Sequence, residues 1–211
     1  MRVIRAAEYH RMPWQNGGGE TMEIAIGPPG AVLDRFDWRI SLARIDSDGP
    51  FSIFPGIDRT LSVVSGAGLK LAIDTNAAVP LMPGSEPFTF SGDAAVRSSL
   101  IAGSVTDLNV MTRRGFFRHR VTKFIAESGW HRCKSDSDHP DAHTVITLIF
   151  SADGTLRVAC GSESVQIEPC DSLMLSEPLG SVSFSSQGVS RVLLIEIGAL
   201  PATSRRRATV K

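Results

Sequence analysis

The chain has 211 residues, 42% hydrophobic and 21% charged, with 22 Lys and Arg balancing 22 Asp and Glu. That length can bury a sizeable core as one large domain or two small halves, and the balanced charge offers no overall field to draw nucleic acid or an acidic membrane surface. No 18 apolar residues follow one another, and Met1-Arg2-Val3-Ile4-Arg5-Ala6-Ala7-Glu8 lacks the apolar run of a signal peptide, so the expectation is a cytoplasmic protein without membrane contact.

Ahead of any strand-like repeat stands Met12-Pro13-Trp14-Gln15-Asn16-Gly17-Gly18-Gly19-Glu20-Thr21-Met22-Glu23. Glycines without a Cβ let a ligand or another backbone come close. Thr21 and Glu23, at period-2 spacing, fall on one face of an extended chain, opposite Met22 and Ile24. The stretch reads as an ordered loop entering a strand and holding polar groups near a cavity; the plainer reading is a Gly-rich turn with no ligand.

Period-2 patterns then dominate and point to an all-β fold. Trp38-Arg39-Ile40-Ser41-Leu42-Ala43, Arg59-Thr60-Leu61-Ser62-Val63-Val64, Leu69-Lys70-Leu71-Ala72-Ile73, Phe88-Thr89-Phe90 and Asp107-Leu108-Asn109-Val110-Met111 form a first β half. Ser65-Gly66-Ala67-Gly68 is a hairpin turn between two of them. A second series runs through Val145–Phe150, Leu156–Ala159, Val165–Ile167, Ser172–Leu175, Val182–Phe184 and Val192–Ile197. Phe90-Ser91-Gly92-Asp93 is faintly echoed by Ile167-Glu168-Pro169-Cys170-Asp171, each a strand end, a turn and an acid. Ser128 to Asp141 reads as a long polar loop, and the segment from Pro201, with Arg205-Arg206-Arg207, as a frayed tail.

Inward-facing polar residues of a β-barrel need partners or a ligand. Asp107, Asn109 and Met111 share one strand face, which is either such a lining or a solvated face. Arg59 could fork onto a ligand carboxylate or pair locally with Asp58. Of the five histidines only His139 and His143 have suggestive spacing, and Pro140 and Asp141 separate them, so no metal is expected. Cys133, Cys160 and Cys170 are spaced as reduced thiols rather than as a disulfide frame. No Gly-x-Ser-x-Gly or ordered Cys–His pattern marks a nucleophile, and Glu23 or Asp107 alone would be a general base without a partner. The basic run Arg113, Arg114, Arg118, His119, Arg120 around Phe116 and Phe117 reads as a solvated strand or loop, then as an anion contact, and last as a nucleic-acid patch.

Taken in order, Met12-Pro13-Trp14 with Asn16-Gly17-Gly18-Gly19, Thr21-x-Glu23-Ile24-Ala25, Asp37-Trp38-Arg39-Ile40-Ser41, Asp48-Gly49-Pro50-Phe51-Ser52, Phe54-Pro55-Gly56-Ile57-Asp58-Arg59 and Asp107-x-Asn109-Val110-Met111 with Arg113-Arg114 resemble the HutD/Ves family of bacterial proteins. These motifs cover about the first half of the chain; Gln15 departs from them, standing where the family usually has Lys. The resemblance implies a bicupin, two cupin-like β-barrels of jelly-roll type, with boundaries at 1–125 and 126–200 and a flexible tail at 201–211. It also implies that the His-x-His and Glu of metal-binding cupins are missing around Phe54–Arg59, hence no metal and no cofactor.

Family members are associated with histidine utilisation and a proposed regulatory sensing of an intermediate such as N-formylglutamate or urocanate. The expected function is therefore metal-free binding of a carboxylate metabolite, more readily than catalysis, by Asn16, Thr21, Glu23, Arg59, Asp107, Asn109, Met111 and Arg113. Arg59 would anchor the charge, Asn16, Glu23 and Asn109 would orient the ligand, and the triglycine loop would admit it closely. The rivals are a metal-independent enzyme acting on a small acid or sugar and a protein-interaction module; a homodimer is the expected assembly.

Overall fold

The computed structural model describes residues 1–33, 35–133, 143–175 and 182–201. His139, Asp141, most of the polar loop and nearly all of the tail lie outside the described residues. The first eleven strands are β1 (Arg2–Ile4), β2 (His10–Pro13), β3 (Gly19–Gly27), β4 (Trp38–Ile45), β5 (Gly49–Pro50), β6 (Ile57–Ser65), β7 (Leu69–Ile73), β8 (Val79–Leu81), β9 (Phe88–Ser91), β10 (Val96–Leu100) and β11 (Val105–Arg113). The remainder are β12 (Phe117–Ala126), β13 (His131–Cys133), β14 (His143–Ser151), β15 (Leu156–Cys160), β16 (Glu163–Ile167), β17 (Ser172–Leu175), β18 (Val182–Ser186) and β19 (Ser190–Ala199), with one 3-10 turn at Ala6–Glu8. All-β is the observed class, and the alternating runs of the sequence fall on strands.

The chain divides into two compact units, Tyr9–Arg114 and Met1–Glu8 with the chain from Gly115 onward. The sequence boundary at 125 falls inside β12, whose ten residues Phe117–Ala126 pair with β19. Likewise β1 pairs with β17, which draws the first residues into the later unit. These are long-range ladders, and local periodicity carries no record of them.

In the 9–114 unit, a six-stranded antiparallel sheet ordered β2-β3-β4-β11-β6-β9 faces a four-stranded one ordered β5-β10-β7-β8. Ile45, Leu61, Val63, Phe90 and Val105 of the first meet Leu69, Leu71, Leu81 and Val96 of the second in one apolar cluster. In the other unit the orders are β1-β17-β14-β19-β12 and β13-β18-β15-β16, and Ile149, Leu173 and Leu194 meet Leu156, Val158, Ile167 and Phe184. Each unit is thus a two-sheet sandwich. The described sheets are open, each ending in edge strands, and not the closed barrels expected from the sequence. Period-2 alternation is common to both architectures, and only the ladder order distinguishes them.

The two turn acids that echo one another in sequence do similar work. Asp93 Oδ1 accepts the Gly56 N–H at 2.9 Å while Arg114 reaches Oδ2 at 2.7 Å. Asp171 accepts the Ala6 N–H at 2.8 Å, the Glu168 N–H at 3.0 Å and the Arg5 guanidinium at 2.7 Å, pinning the first residues to their unit. Asp171 is 4% exposed, so Asp171→Ala, which orphans two backbone donors and a cation, is expected to cost about 2–4 kcal/mol. A urea midpoint measured at constant m-value checks it.

Candidate functional site

Within the 9–114 unit the inner face of the larger sheet is built in cross-strand rows. Arg39, Met111 and Arg59 stand side by side on β4, β11 and β6. Beside them come Glu23, Ser41, Asn109 and Leu61, and then Thr21, Ala43, Asp107 and Val63. A bulge between Glu23 and Ala25 shifts the phase of β3, so Glu23 joins this face and Ile26, three residues on, packs beside Phe36, Ile57 and Met111. Apolar clusters thus bound the polar rows on both sides, with Ile45, Leu61, Val63 and Val105 on one and Met111 and Phe54 on the other. Between them opens a cavity of about 540 Å³, roofed by the Met12–Asn16 loop, Leu33 and the Pro50–Phe54 segment. This size suits a small organic ligand.

Arg59 is the centre of the cavity. It is 5% exposed, and its Cζ lies 5.2, 5.5 and 5.1 Å from the ring centroids of Phe51, Phe54 and Phe90. Three aromatic faces stabilise the cation that burial disfavours. Its Nη2 donates to Asn109 Oδ1 at 2.9 Å and its Nη1 to the Ser52 carbonyl at 3.2 Å. Asn109 Nδ2 in turn donates to Asp107 Oδ1 at 2.5 Å, so one amide joins a cation to a carboxyl. Burial lowers the guanidinium to about 10, Asp107 opposes that and the charge of Arg39 adds to it; Arg59 is still charged at neutral pH. Burial pushes the Asp107 carboxyl up to about 7, with Arg59 and the Asn109 hydrogen bond pulling it back.

Arg39, only 4% exposed, donates from Nε to Glu23 Oε2 at 2.8 Å. Three buried polar atoms of these residues find no partner among the described residues: Arg39 Nη2, Arg59 Nε and Asp107 Oδ2. Buried donors and acceptors are nearly always paired, so unmet ones clustered in a cavity mark where a ligand or solvent completes the bonding. Two guanidinium donors and one carboxyl acceptor are thus open to the polar groups of an occupant. The lining holds no His or Cys and two arginines, which does not fit a bound divalent cation.

The structure brings most of the sequence-predicted residues together. Asn16, Thr21, Arg59, Asp107, Asn109 and Met111 line the cavity. Asn16 sits at the exposed rim with its Oδ1 taken by the Gly18 N–H at 3.0 Å, and Thr21 Oγ1 receives Trp14 Nε1 at 2.9 Å. Glu23 is not in the lining; it stands behind, holding Arg39. Arg113 lies outside, paired with Asp37 at 3.2 Å and donating to the Phe36 carbonyl. The local pair anticipated for Asp58 forms with Arg114, at 2.7 Å, and not with Arg59. Sequence reasoning missed Arg39 as a site residue, although its alternation with Ser41 and Ala43 was visible. It also missed the aromatic cage of Phe51, Phe54 and Phe90.

The triglycine loop departs from its expected role. A Cβ on Gly19 would collide with the Arg44 carbonyl oxygen, and one on Gly18 would press on Ser47. The close approach is therefore between the loop and β4, not between the loop and a ligand. Gly19→Ala is expected to cost about 1–3 kcal/mol by overpacking. Gly17→Ala, with open space but φ at +68°, should lose only about 1–2 kcal/mol. Denaturant midpoints of the two variants order them.

The HutD family model matches residues 6–194. The chain belongs to the HutD family. A protein from the hutC 3′ region of Pseudomonas putida is 37% identical over 166 residues, 79% of this chain and 81% of its own. Protein Ves of Citrobacter koseri is 42% identical over 118 residues, 54% of this chain and 60% of its own. The structure of HutD from Pseudomonas fluorescens SBW25 superposes with a TM-score of 0.78 at 32% identity, covering 95% of this chain and 99% of that one. A cupin 2 barrel-domain protein from Leptotrichia buccalis, at 12% identity and TM-score 0.54 over 84% of this chain and 88% of its own, shares the cupin-like fold alone. Among the described residues no helix is long and apolar enough to cross a membrane.

Proposed function

We propose that the 9–114 unit of this HutD-family protein binds a small carboxylate metabolite without a metal and without turning it over, and so senses an intermediate of histidine utilisation such as N-formylglutamate or urocanate. The observation that carries the reading is the pair of guanidinium donors without a partner among the described residues, Arg39 Nη2 and Arg59 Nε, in a half-open cavity. Two charged donors, one from each arginine lining the same hollow, favour a carboxylate over a neutral ligand. The HutD structure from P. fluorescens SBW25 belongs to a formate condition, and formate is the smallest carboxylate. The hutC-region relative supports the link to histidine utilisation. In this reading the two sandwiches are the two cupin-like halves of a bicupin, and the protein acts in the cytoplasm, where such metabolites arise.

A ligand that binds only the folded state stabilises it by about 2.7 kcal/mol at 100 times Kd. Thermal melts with millimolar histidine, urocanate, N-formylglutamate and glutamate are expected to separate one of these from the rest by several degrees; flat melts with all four remove this ligand class. One observation favours a second reading as an enzyme: Asp107 is wholly buried, its carboxyl lies near 7 and its Oδ2 is free for a substrate proton. Product formation lost in Asp107→Asn with binding retained would establish it.

A further inference from the structure

The carboxylate reading leaves one of the three unmet atoms unexplained. The two guanidinium donors account for the acid group of an occupant, whereas Asp107 Oδ2 is an acceptor and repels it. Asp107 is 0% exposed and lies in the cavity lining. Its Oδ1 is committed to Asn109. The amide of Asn109 cannot turn to help, because its oxygen takes Arg59 and its nitrogen takes Asp107, and either flip would set like against like. No donor in the row that holds Asp107 reaches Oδ2: Ala43 and Val63 are apolar, and Thr21, whose Oγ1 accepts from the Trp14 indole, makes no hydrogen bond to it. What meets Oδ2 is therefore solvent in the empty cavity and a group of the occupant in the filled one.

We infer that Asp107 is a specificity-determining residue, selecting carboxylates that carry an N–H or O–H donor within a few bonds of the acid group; this rests on the carboxylate reading of the same cavity. The spacing supports it. Arg59 and Asp107 flank the single amide of Asn109, so an occupant anchored at Arg59 has its next few atoms beside Oδ2. A ligand with a donor there satisfies a buried acceptor. A ligand with an ether oxygen or a methyl group leaves that acceptor desolvated and unpaired, and sites with such buried polar groups reject the analogue that lacks the matching group. A second carboxylate at the same spot faces Asp107 directly and is disfavoured further.

Isothermal titration calorimetry of the full chain at pH 8.5, where Asp107 has given up its proton, with two matched pairs, glycolate against methoxyacetate and N-acetylglycine against N-acetylsarcosine, tests this. Each pair differs only in whether a donor hydrogen or a methyl group is presented. The donor-bearing member of at least one pair is expected to bind at least about tenfold more tightly to the wild-type protein. In Asp107→Asn the new amide keeps its oxygen on Asn109 and presents an N–H2 where Oδ2 was, so the preference should shrink or invert in favour of the ether or N-methyl member. Affinities within twofold in both pairs overturn donor selection and leave carboxylate binding standing. No binding by any of the four at millimolar concentration overturns the donor rule, which predicts that small donor-bearing acids bind, while the melts with urocanate and N-formylglutamate decide carboxylate binding separately. An unchanged preference in a folded Asp107→Asn protein overturns the assignment to Asp107, and the wild-type pairs remain decisive if that variant does not fold.

Discussion

Arg59→Met should lower affinity for the carboxylate ligand by about 2–5 kcal/mol, roughly thirtyfold to several thousandfold, with the loss expressed mainly as faster dissociation. Methionine keeps much of the volume among Phe51, Phe54 and Phe90 but removes the cation and the free Nε. Lysine should rescue little of it. An ammonium keeps the charge yet cannot serve Asn109 Oδ1, the Ser52 carbonyl and a ligand in one plane as the guanidinium fork does. The variant leaves Asn109 Oδ1 and Asp107 short of a partner, so its urea midpoint must be measured beside its affinity. Binding unchanged in a folded Arg59→Met protein would show that the cavity takes its ligand elsewhere.

The second large effect is on stability against pH. Asp107 moves from an ordinary 3.8 to about 7 in the folded chain because burial disfavours its charge. Between those values the folded state holds a proton that the unfolded state has released, so stability falls as pH rises. The group's full contribution is present below about 4 and is lost through 7, a span worth up to about 4 kcal/mol at 1.36 kcal/mol per pKa unit. Other groups with resolved shifts act outside this window. Asp93, Asp46, Glu168 and Asp171 are all lowered from their usual range, and Arg59 titrates at about 10. Melting temperatures of the wild-type chain should therefore decline between pH 5 and 8, and Asp107→Asn should flatten that slope. Parallel slopes for the two proteins would mean that Asp107 is not the group responsible.

Several parts of the site were legible because strands alternate. The run Asp107-Leu108-Asn109-Val110-Met111 announced that its acid, amide and thioether share a face, and they do. Which face points to a cavity was not legible. In β4 and β11 both faces are buried: Ile40, Leu42, Leu108 and Val110 are as enclosed as Arg39, Asp107 and Asn109. An alternation of polar and apolar residues then no longer separates solvent from core, which is why Arg39 escaped notice.

The sequence by itself determined the strand content, the ordered glycine loop, the family and six of the lining residues on or beside three strands, because each of these is written in local spacing or in a chain-ordered set of motifs. Only the tertiary structure decided that Arg39 and Arg59 flank Met111, that Glu23 stands behind Arg39, and that Asp107 is left with an unmet oxygen. Those facts depend on register between strands far apart in the chain and on burial, and a shift of one residue in a ladder would turn every one of these side chains to the other face.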